Sequence, residues 1–311
     1  MGLTEARITM KPAICIYHGN CADGFTAAWV VWNRWPDIEF VPGFYGKAPP
    51  DVAGKHVLMV DYSYKRDFLE EMGKSALSIT ILDHHATAKD DLSEYAVMNP
   101  VGANDIDGIV SATQPGLGNI RAIFRMDRSG AQLAYDFVFG CLAGMRGGDV
   151  GVKLIDYVAD RDLWLFKLPK SRVIAAYIFS HAYTFKNWAE INIKLQADFQ
   201  QAVNEGSAIE RKHHKDISEL LAQTTREITI GGVRVKVANL PYTMSSDAAG
   251  TLAEGAPFGA CYFDRPDARV FSLRSRGPNA PDVSLIAAGY GGGGHKNAAG
   301  FQMPLGWEGD A

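Results

Sequence analysis

Three short apolar runs near the start of the chain each end in side chains that can bind metal ions. The runs end at His18, at Asp61 and at the triplet Asp83-His84-His85. Helix-forming segments separate the runs, and the first of these segments has apolar residues spaced along one face. Strand, helix and strand in this order predict parallel strands with crossover helices. Because ligands bind at the carboxyl ends of such strands, we expect these side chains to converge.

The polar segment after the first run adds a carboxylate, Asp23. A mixed histidine and carboxylate cluster suits Mn²⁺, with Mg²⁺ or Co²⁺ as alternatives. Each residue alone has a simpler interpretation, since Asp61 could cap the next helix and His18 could be a packed or surface histidine. The triplet after the third run is harder to explain in this way, because three such groups are costly to place beside a buried strand without partners.

Two later segments add candidates. Asp160 follows an apolar helical face, although it could also be a helix-end carboxylate that pairs with Arg161 or with solvent. A glycine run at residues 291–294 precedes His295, and its backbone N–H groups could surround an anion. It is not a P-loop, because no Gly-Lys-Ser/Thr follows. The strand-like residues 301–303 argue against a flexible linker.

The remaining patterns predict how the chain is organised. Residues 104–121 are rich in Gly, Asn and Asp and predict a loop, in which Asp105 and Asp107 carry no clear signal. Residues 129–143 and 150–163 predict helices, and residues 188–225 predict a long helical connector. A Gly231-Gly232 turn between two apolar runs predicts a β-hairpin that opens a second domain. We therefore expect an N-terminal α/β domain with a parallel sheet, a helical connector and a smaller α/β C-terminal domain.

Taken in order, five segments resemble the motifs of the DHH phosphoesterases. They are residues 18–24, 60–63, 82–85, 158–160 and 291–300. The last resembles the signature of the DHH-associated C-terminal domain. The resemblance covers about residues 13–303. It implies a DHH domain at residues 11–185, the connector at 186–226 and the DHH-associated domain at 227–311.

The resemblance also implies roles for single residues. The implied metal ligands are His18, Asp23, Asp61, His84 and Asp160, with Asp61 in the bridging position. The implied catalytic residues are Asp83, His84 and His85. The implied substrate-binding residues are His85, Arg274, Gly292, Gly293, Gly294 and His295.

One position departs from the pattern of the family. Many members carry an Asp-x-Asp pair in the first motif, where this chain has Cys21-Ala22-Asp23. A thiol therefore replaces the first carboxylate, which implies a weaker site for one of two metals. Asn20 or Cys21 could partly substitute for the missing carboxylate, and some branches of the family start in a similar way.

The implied function is hydrolysis of a short oligonucleotide or small nucleotide by metal-activated water, as in the nanoRNase-like branch. The alternatives are an exopolyphosphatase-like hydrolase and a catalytically weak nucleotide-binding protein. A formal net charge of −4 disfavours coating of long nucleic acid. The four cysteines are scattered, which argues against a disulfide framework and against a cysteine zinc site. No apolar run approaches the roughly 20 residues that span a bilayer. We expect a cytoplasmic protein without a membrane partner and allow for a homodimer.

Overall fold

The computed structural model describes residues 11–96, 118–139, 151–277 and 279–310. The described residues divide into two compact units. Residues 11–84, 88–96, 118–139 and 151–203 belong to one unit, and residues 85–87, 204–277 and 279–310 belong to the other.

Five parallel strands form the sheet of the first unit. They are β1 (Ile14–His18), β2 (Glu39–Gly43), β3 (His56–Val60), β4 (Ser78–Asp83) and β5 (Ile120–Phe124). Their order in space is β2-β1-β3-β4-β5, and every neighbouring pair is parallel. Parallel neighbours require crossover connections. The predicted α/β fold class is therefore confirmed.

Alternate residues of each strand enter two different apolar cores. In β3, Leu58 and Val60 belong to one core, whereas Val57 and Met59 belong to the other. Side chains of a strand point alternately to opposite faces, so both faces of this sheet are covered. Burial on both faces explains why the strands read as continuous apolar runs. Because all five strands are parallel, their carboxyl ends lie at one edge of the sheet.

Helices connect these strands and continue the chain. They are α1 (Ala22–Arg34), α2 (Arg66–Gly73), α3 (Ala86–Asp91), α4 (Gly130–Phe139), α5 (Lys153–Asp162), α6 (Ser171–Phe179), α7 (Phe185–Ala197) and α8 (Phe199–Thr224). The helices predicted at 129–143 and 150–163 correspond to α4 and α5, although residues 140–150 lie outside the described part of the chain.

The segment predicted as a connector consists of two helices that meet at Asp198. The first of them, α7, packs into the core of the first unit through Trp188, Ile191 and Leu195. The indole N–H of Trp188 donates a hydrogen bond to Oγ1 of Thr26 (2.9 Å). The boundary between the two units falls within α8.

A six-stranded mixed sheet forms the second unit. Its strands are β6 (Arg226–Ile230), β7 (Val233–Asn239), β8 (Gly259–Asp264), β9 (Arg269–Arg274), β10 (Gly293–His295) and β11 (Ala298–Met303). Their order is β10-β11-β9-β8-β7-β6, in which only β7 and β8 pair in parallel. Two helices, α9 (Tyr242–Leu252) and α10 (Val283–Ala288), complete the described part of this unit.

The predicted hairpin joins β6 to β7. Gly231 and Gly232 have φ angles of 59° and 73°. Two successive residues with positive φ characterise the hairpin turn that matches the twist of antiparallel strands. The predicted Gly-Gly turn is therefore confirmed.

Two strands of the first sheet were not predicted. β2 contains Pro42, which suits an edge strand, and β5 begins at Ile120 inside the predicted loop. Most of that loop, with Asp105 and Asp107, lies outside the described residues. Among the helices described here, none combines the length and apolar character that a membrane span requires.

Candidate metal and active site

The carboxyl ends of β1, β3 and β4 bring three predicted ligands together. Oδ1 of Asp61 lies 2.9 Å from Nε2 of His84, and Oδ2 of Asp61 lies 3.4 Å from Nδ1 of His18. Asp61 and His84 are buried, whereas His18 retains some exposure. The convergence arises because the ends of parallel strands meet at one edge of the sheet.

Asp23, in the first turn of α1, completes the cluster. Its Oδ2 lies 3.6 Å from Nε2 of His84. Ligand atoms of Asp23, Asp61 and His84 all lie within 4.8 Å of one another, and the same holds for His18, Cys21 and Asp61. Asp61 belongs to both sets. A carboxylate that bridges two cations requires this placement.

Burial and the nearness of several carboxylates together determine the charge of the cluster. Burial, followed by the charges of Asp162 and Asp61, raises the pKa of Asp23 well above its usual range. Burial alone would lower the pKa of His84, but its hydrogen bond to Asp61 and the surrounding carboxylates raise that pKa to about 10. The cluster thus takes up protons when no cation balances it. A divalent cation fits these residues, since it would supply the positive charge and accept histidine and carboxylate ligands.

Asp61 has a strained backbone. Its φ is 55°, in the left-handed region that residues other than glycine seldom adopt. Such a conformation costs on the order of 1–3 kcal/mol and persists only where neighbouring structure enforces it. The backbone N–H of Asp61 donates to the carbonyl of Leu82 (2.8 Å), which holds the turn against β4. The strain therefore lies at the residue that both ligand sets share.

The N-terminus of α4 surrounds the Asp23 carboxylate. Oγ of Ser129 donates to Oδ1 (2.8 Å), and the backbone N–H groups of Gly130 and Ala131 donate to Oδ2 (2.5 Å) and Oδ1 (3.2 Å). Helix N-termini favour anions. A Cβ atom on Gly130 would lie 2.3 Å from Cβ of Asp61. Glycine at this position therefore lets the helix approach both carboxylates.

A buried ion pair precedes this helix start. Nε and Nη2 of Arg128 donate to Oδ2 and Oδ1 of Asp136 (2.8 and 2.7 Å), and both residues are only 1% exposed. Removing one partner of such a pair costs about 3–5 kcal/mol. The pair fixes the backbone next to Ser129 and thereby the donors that hold Asp23.

Sequence reasoning did not identify Ser129, Gly130 or Arg128 as site residues. A signal for the helix start was present, because Ser129 and Gln132 have the spacing of a capping box. Their reciprocal hydrogen bonds, each 3.3 Å long, form in the structure. The spacing shows where α4 begins, but it carries no information about which carboxylate the helix faces.

The fourth motif is placed differently from what we expected. The Asp160 carboxylate accepts hydrogen bonds from the backbone N–H groups of Lys167 (2.9 Å) and Leu168 (3.2 Å). The carboxylate that approaches the cluster is Asp162, whose Oδ2 lies 3.6 Å from Nε2 of His84. The physical reason is that residues two apart on an α-helix point about 200° apart, so Asp160 and Asp162 face different sides of α5. Asp162 is the site residue that the motif did not identify.

The other two residues of the triplet differ in placement. Asp83 is fully buried, and its Oδ1 accepts the backbone N–H of His84 (2.7 Å), which orients that histidine. His85 is half-buried and groups with the second unit.

Arg274, a predicted substrate contact, ends β9. Its guanidinium donates to Oγ of Ser246 (2.6 Å) and to the carbonyl of Leu273 (2.7 Å). These bonds fix the position of a half-buried cation on the sheet of the second unit. A cation held in this way is suited to bind phosphate.

The glycine run forms close strand contacts. A Cβ atom on Gly292 would lie 2.1 Å from the carbonyl oxygen of Gly300, and Gly294 has a φ of 144°. Gly293, Gly294 and His295 form β10, paired with β11. The run therefore belongs to the sheet, and the flexible-linker alternative is wrong.

Cys21 provides a test of the ligand set formed by His18, Cys21 and Asp61. Burial, followed by the charges of Asp61, Asp162 and Asp23, raises the pKa of its thiol. Sulfur is also a softer ligand for Mn²⁺ than a carboxylate oxygen. We expect Cys21→Asp, which adds a hard anionic ligand, to tighten Mn²⁺ binding roughly 10- to 150-fold in calorimetric titrations. Cys21→Ser, the matched control, adds only a neutral oxygen and should gain less. Equal Mn²⁺ affinity in all three proteins would place residue 21 outside the coordination shell.

Comparison with known proteins bears on the fold. No family model matches the chain. The chain is 27% identical over 315 residues to uncharacterized protein R106 of Acanthamoeba polyphaga mimivirus, in an alignment that covers 93% of this chain. The chain spans 66% of the length of that relative.

A solved DHH domain, from a protein described as a member of the s1p family of ribosomal proteins, superposes with a TM-score of 0.52. The match has 13% sequence identity and covers 93% of this chain and 82% of that one. The chain has the DHH fold. The resemblance drawn from the five motifs is thus confirmed at the level of the fold. An exopolyphosphatase-related protein from Bacteroides fragilis gives a TM-score of 0.47 at 13% identity, covering 93% of this chain and 86% of that one.

Proposed function

We propose that this DHH-fold protein is a metal-dependent phosphoesterase that hydrolyses short oligonucleotides or small nucleotides. The observation that carries the proposal is the buried cluster of Asp23, Asp61 and His84, which shares Asp61 with a second set formed by His18 and Cys21. Buried carboxylates at such short separation need a cation to balance them. Two adjacent divalent sites are a common basis for phosphoester hydrolysis.

The residues of the cluster have distinct roles in this proposal. Asp23, Asp61 and His84 would hold one cation, and the set of His18, Cys21 and Asp61 would hold a second, with Asp162 beside His84. Bound Mn²⁺ would supply positive charge for the phosphoryl oxygens and lower the pKa of water. Asp83 orients His84 through its backbone N–H. The donors at the start of α4 favour the ionised form of Asp23 and would aim its carboxylate at the cluster.

The second unit binds the substrate in this proposal and holds no metal. Arg274 offers a guanidinium fixed by Ser246, and guanidinium groups suit bidentate phosphate contacts. Residues 292–294 offer backbone donors, and His295 and His85 offer imidazole groups. These groups would bind phosphate, whereas the carboxylates of the first unit bind the cations.

A hydrolysis screen tests the proposed function. Protein supplied with Mn²⁺ would be offered dinucleotides, pentamers, strands tens of nucleotides long, a nucleoside bisphosphate, a cyclic dinucleotide and polyphosphate. We expect the highest kcat/KM on dinucleotides to pentamers, because the acidic chain repels long polyanions. Preference for long strands would indicate an exonuclease, preference for polyphosphate an exopolyphosphatase, and binding without turnover a nucleotide-binding protein.

A further inference from the structure

The loop that follows α5 concentrates unusual backbone conformations. Trp164, Phe166 and Lys170 have φ angles of 58°, 51° and 60°. For bulky residues the left-handed region is disfavoured, and each such residue costs on the order of 1–3 kcal/mol. Three of them within seven residues require strong local support.

Asp160 supplies that support. Its backbone carbonyl accepts the N–H groups of Leu165 (2.9 Å) and Phe166 (3.3 Å). Its carboxylate accepts those of Lys167 (2.9 Å) and Leu168 (3.2 Å). The Tyr157 hydroxyl also donates to the carbonyl of Pro169 (2.7 Å). We call residues 163–170 the Asp160-anchored loop.

The loop presents two aromatic rings with two guanidinium groups. The rings of Trp164 and Phe166 meet edge to face, with centroids 4.9 Å apart. The guanidinium of Arg161 lies 4.3 Å from the Trp164 ring centroid, and that of Arg172 lies 3.6 Å from the Phe166 centroid. All four side chains keep partial exposure. Together they form what we call the cationic aromatic surface.

The cationic aromatic surface adjoins the metal-ligand cluster through the chain itself. Asp162 lies between Arg161 and Trp164 in sequence, and its carboxylate is 3.6 Å from Nε2 of His84. Two residues of extended chain span at most about 7 Å. The Cα atom of Trp164 therefore lies within about 7 Å of that of Asp162, the residue whose carboxylate approaches His84.

We propose that the cationic aromatic surface binds a nucleobase next to the scissile phosphate. Aromatic faces and guanidinium planes are the groups on which unpaired bases stack. This inference rests on the proposed function. It favours nucleotidic substrates over polyphosphate, because a polyphosphate chain has no flat ring to stack.

Equilibrium binding without turnover tests this role. The protein, with Mn²⁺ bound, would be titrated with a non-hydrolysable 5′-phosphorylated dinucleotide and with the same molecule lacking both bases. Trp164→Asn removes the ring, and asparagine tolerates left-handed φ better than most residues. We expect Trp164→Asn to weaken dinucleotide binding roughly 5- to 150-fold and to lower the ratio of dinucleotide to abasic affinity by a similar factor.

Three further measurements make the result decisive. Trp164→Phe keeps a stacking ring and should retain most of the ratio of dinucleotide to abasic affinity. Leu165→Asn, a matched control at an exposed position of the same loop (46% exposed), should leave it unchanged. A thermal unfolding midpoint for each variant checks the fold.

The inference is overturned if a folded Trp164→Asn protein loses affinity for both ligands equally, or if the unchanged protein does not bind the dinucleotide. Failure of the proposed function gives a different outcome. Binding then depends on the bases, but a cleavable dinucleotide is not hydrolysed in the presence of Mn²⁺.

Discussion

Replacing His84 with alanine is expected to lower kcat/KM on a dinucleotide by roughly three orders of magnitude. The imidazole lies 2.9 Å from Asp61 and 3.6 Å from Asp23, so its loss removes a ligand from the centre of the cluster. Metal ions contribute several kcal/mol to stabilisation of charge in the transition state, and each 1.36 kcal/mol is tenfold in rate. Kinetics and elemental analysis of the same samples would measure both effects.

The matched control for this change is His214→Ala. His214 lies on α8, is exposed, and is 3.4 Å from Glu210 one helical turn away. Its replacement should leave turnover and metal content at the level of the unchanged protein. Turnover that survives in His84→Ala with metal still bound would move the catalytic centre away from this cluster.

Gly130→Ala is expected to damage the site although alanine favours helices. In an ordinary helix the change would stabilise by up to about 1 kcal/mol. Here the new Cβ would lie 2.3 Å from Cβ and 2.7 Å from the carboxyl carbon of Asp61. Overpacking of this kind costs about 1–3 kcal/mol and forces Asp61 or α4 to move. We expect a lower unfolding midpoint and Mn²⁺ binding weakened by roughly tenfold or more.

Gly73→Ala is the matched control. Gly73 ends α2, and a Cβ there would meet the flexible tip of Ile120 at 3.0 Å, away from the cluster. Mn²⁺ affinity should not change in this variant. If Gly130→Ala binds Mn²⁺ as tightly as the unchanged protein, the close approach of α4 to Asp61 has no role in the metal site.

The sequence predicts the site residues that lie at the carboxyl ends of strands. Apolar runs that end in Asp61 and in Asp83-His84 indicate both the parallel sheet and the edge where ligands gather. That inference needs no knowledge of distances, because the carboxyl ends of parallel strands lie at one edge of a sheet. The structure does bring Asp23, Asp61 and His84 together.

Contacts between distant segments could not be predicted in the same way. Ser129 lies 106 residues after Asp23, and no local pattern connects an α4 helix start to a carboxylate in α1. The choice between Asp160 and Asp162 depends on which face of α5 is turned to the cluster, since one carboxylate points to the loop and the other to His84. Tertiary packing decides that face, and the sequence of the motif does not show it. β2 and β5 were missed because a proline and an arginine interrupt their apolar patterns.

The proposed metal-dependent phosphoesterase activity is tested most directly by measuring dinucleotide hydrolysis while Mn²⁺ is titrated into chelator-treated protein. Elemental analysis would first confirm that the protein has lost its metal. We expect no turnover before Mn²⁺ is added. Turnover should then rise with added Mn²⁺ and saturate when the cluster of Asp23, Asp61 and His84 is fully occupied by metal. Full turnover by the metal-free protein, unchanged by added Mn²⁺, would contradict it.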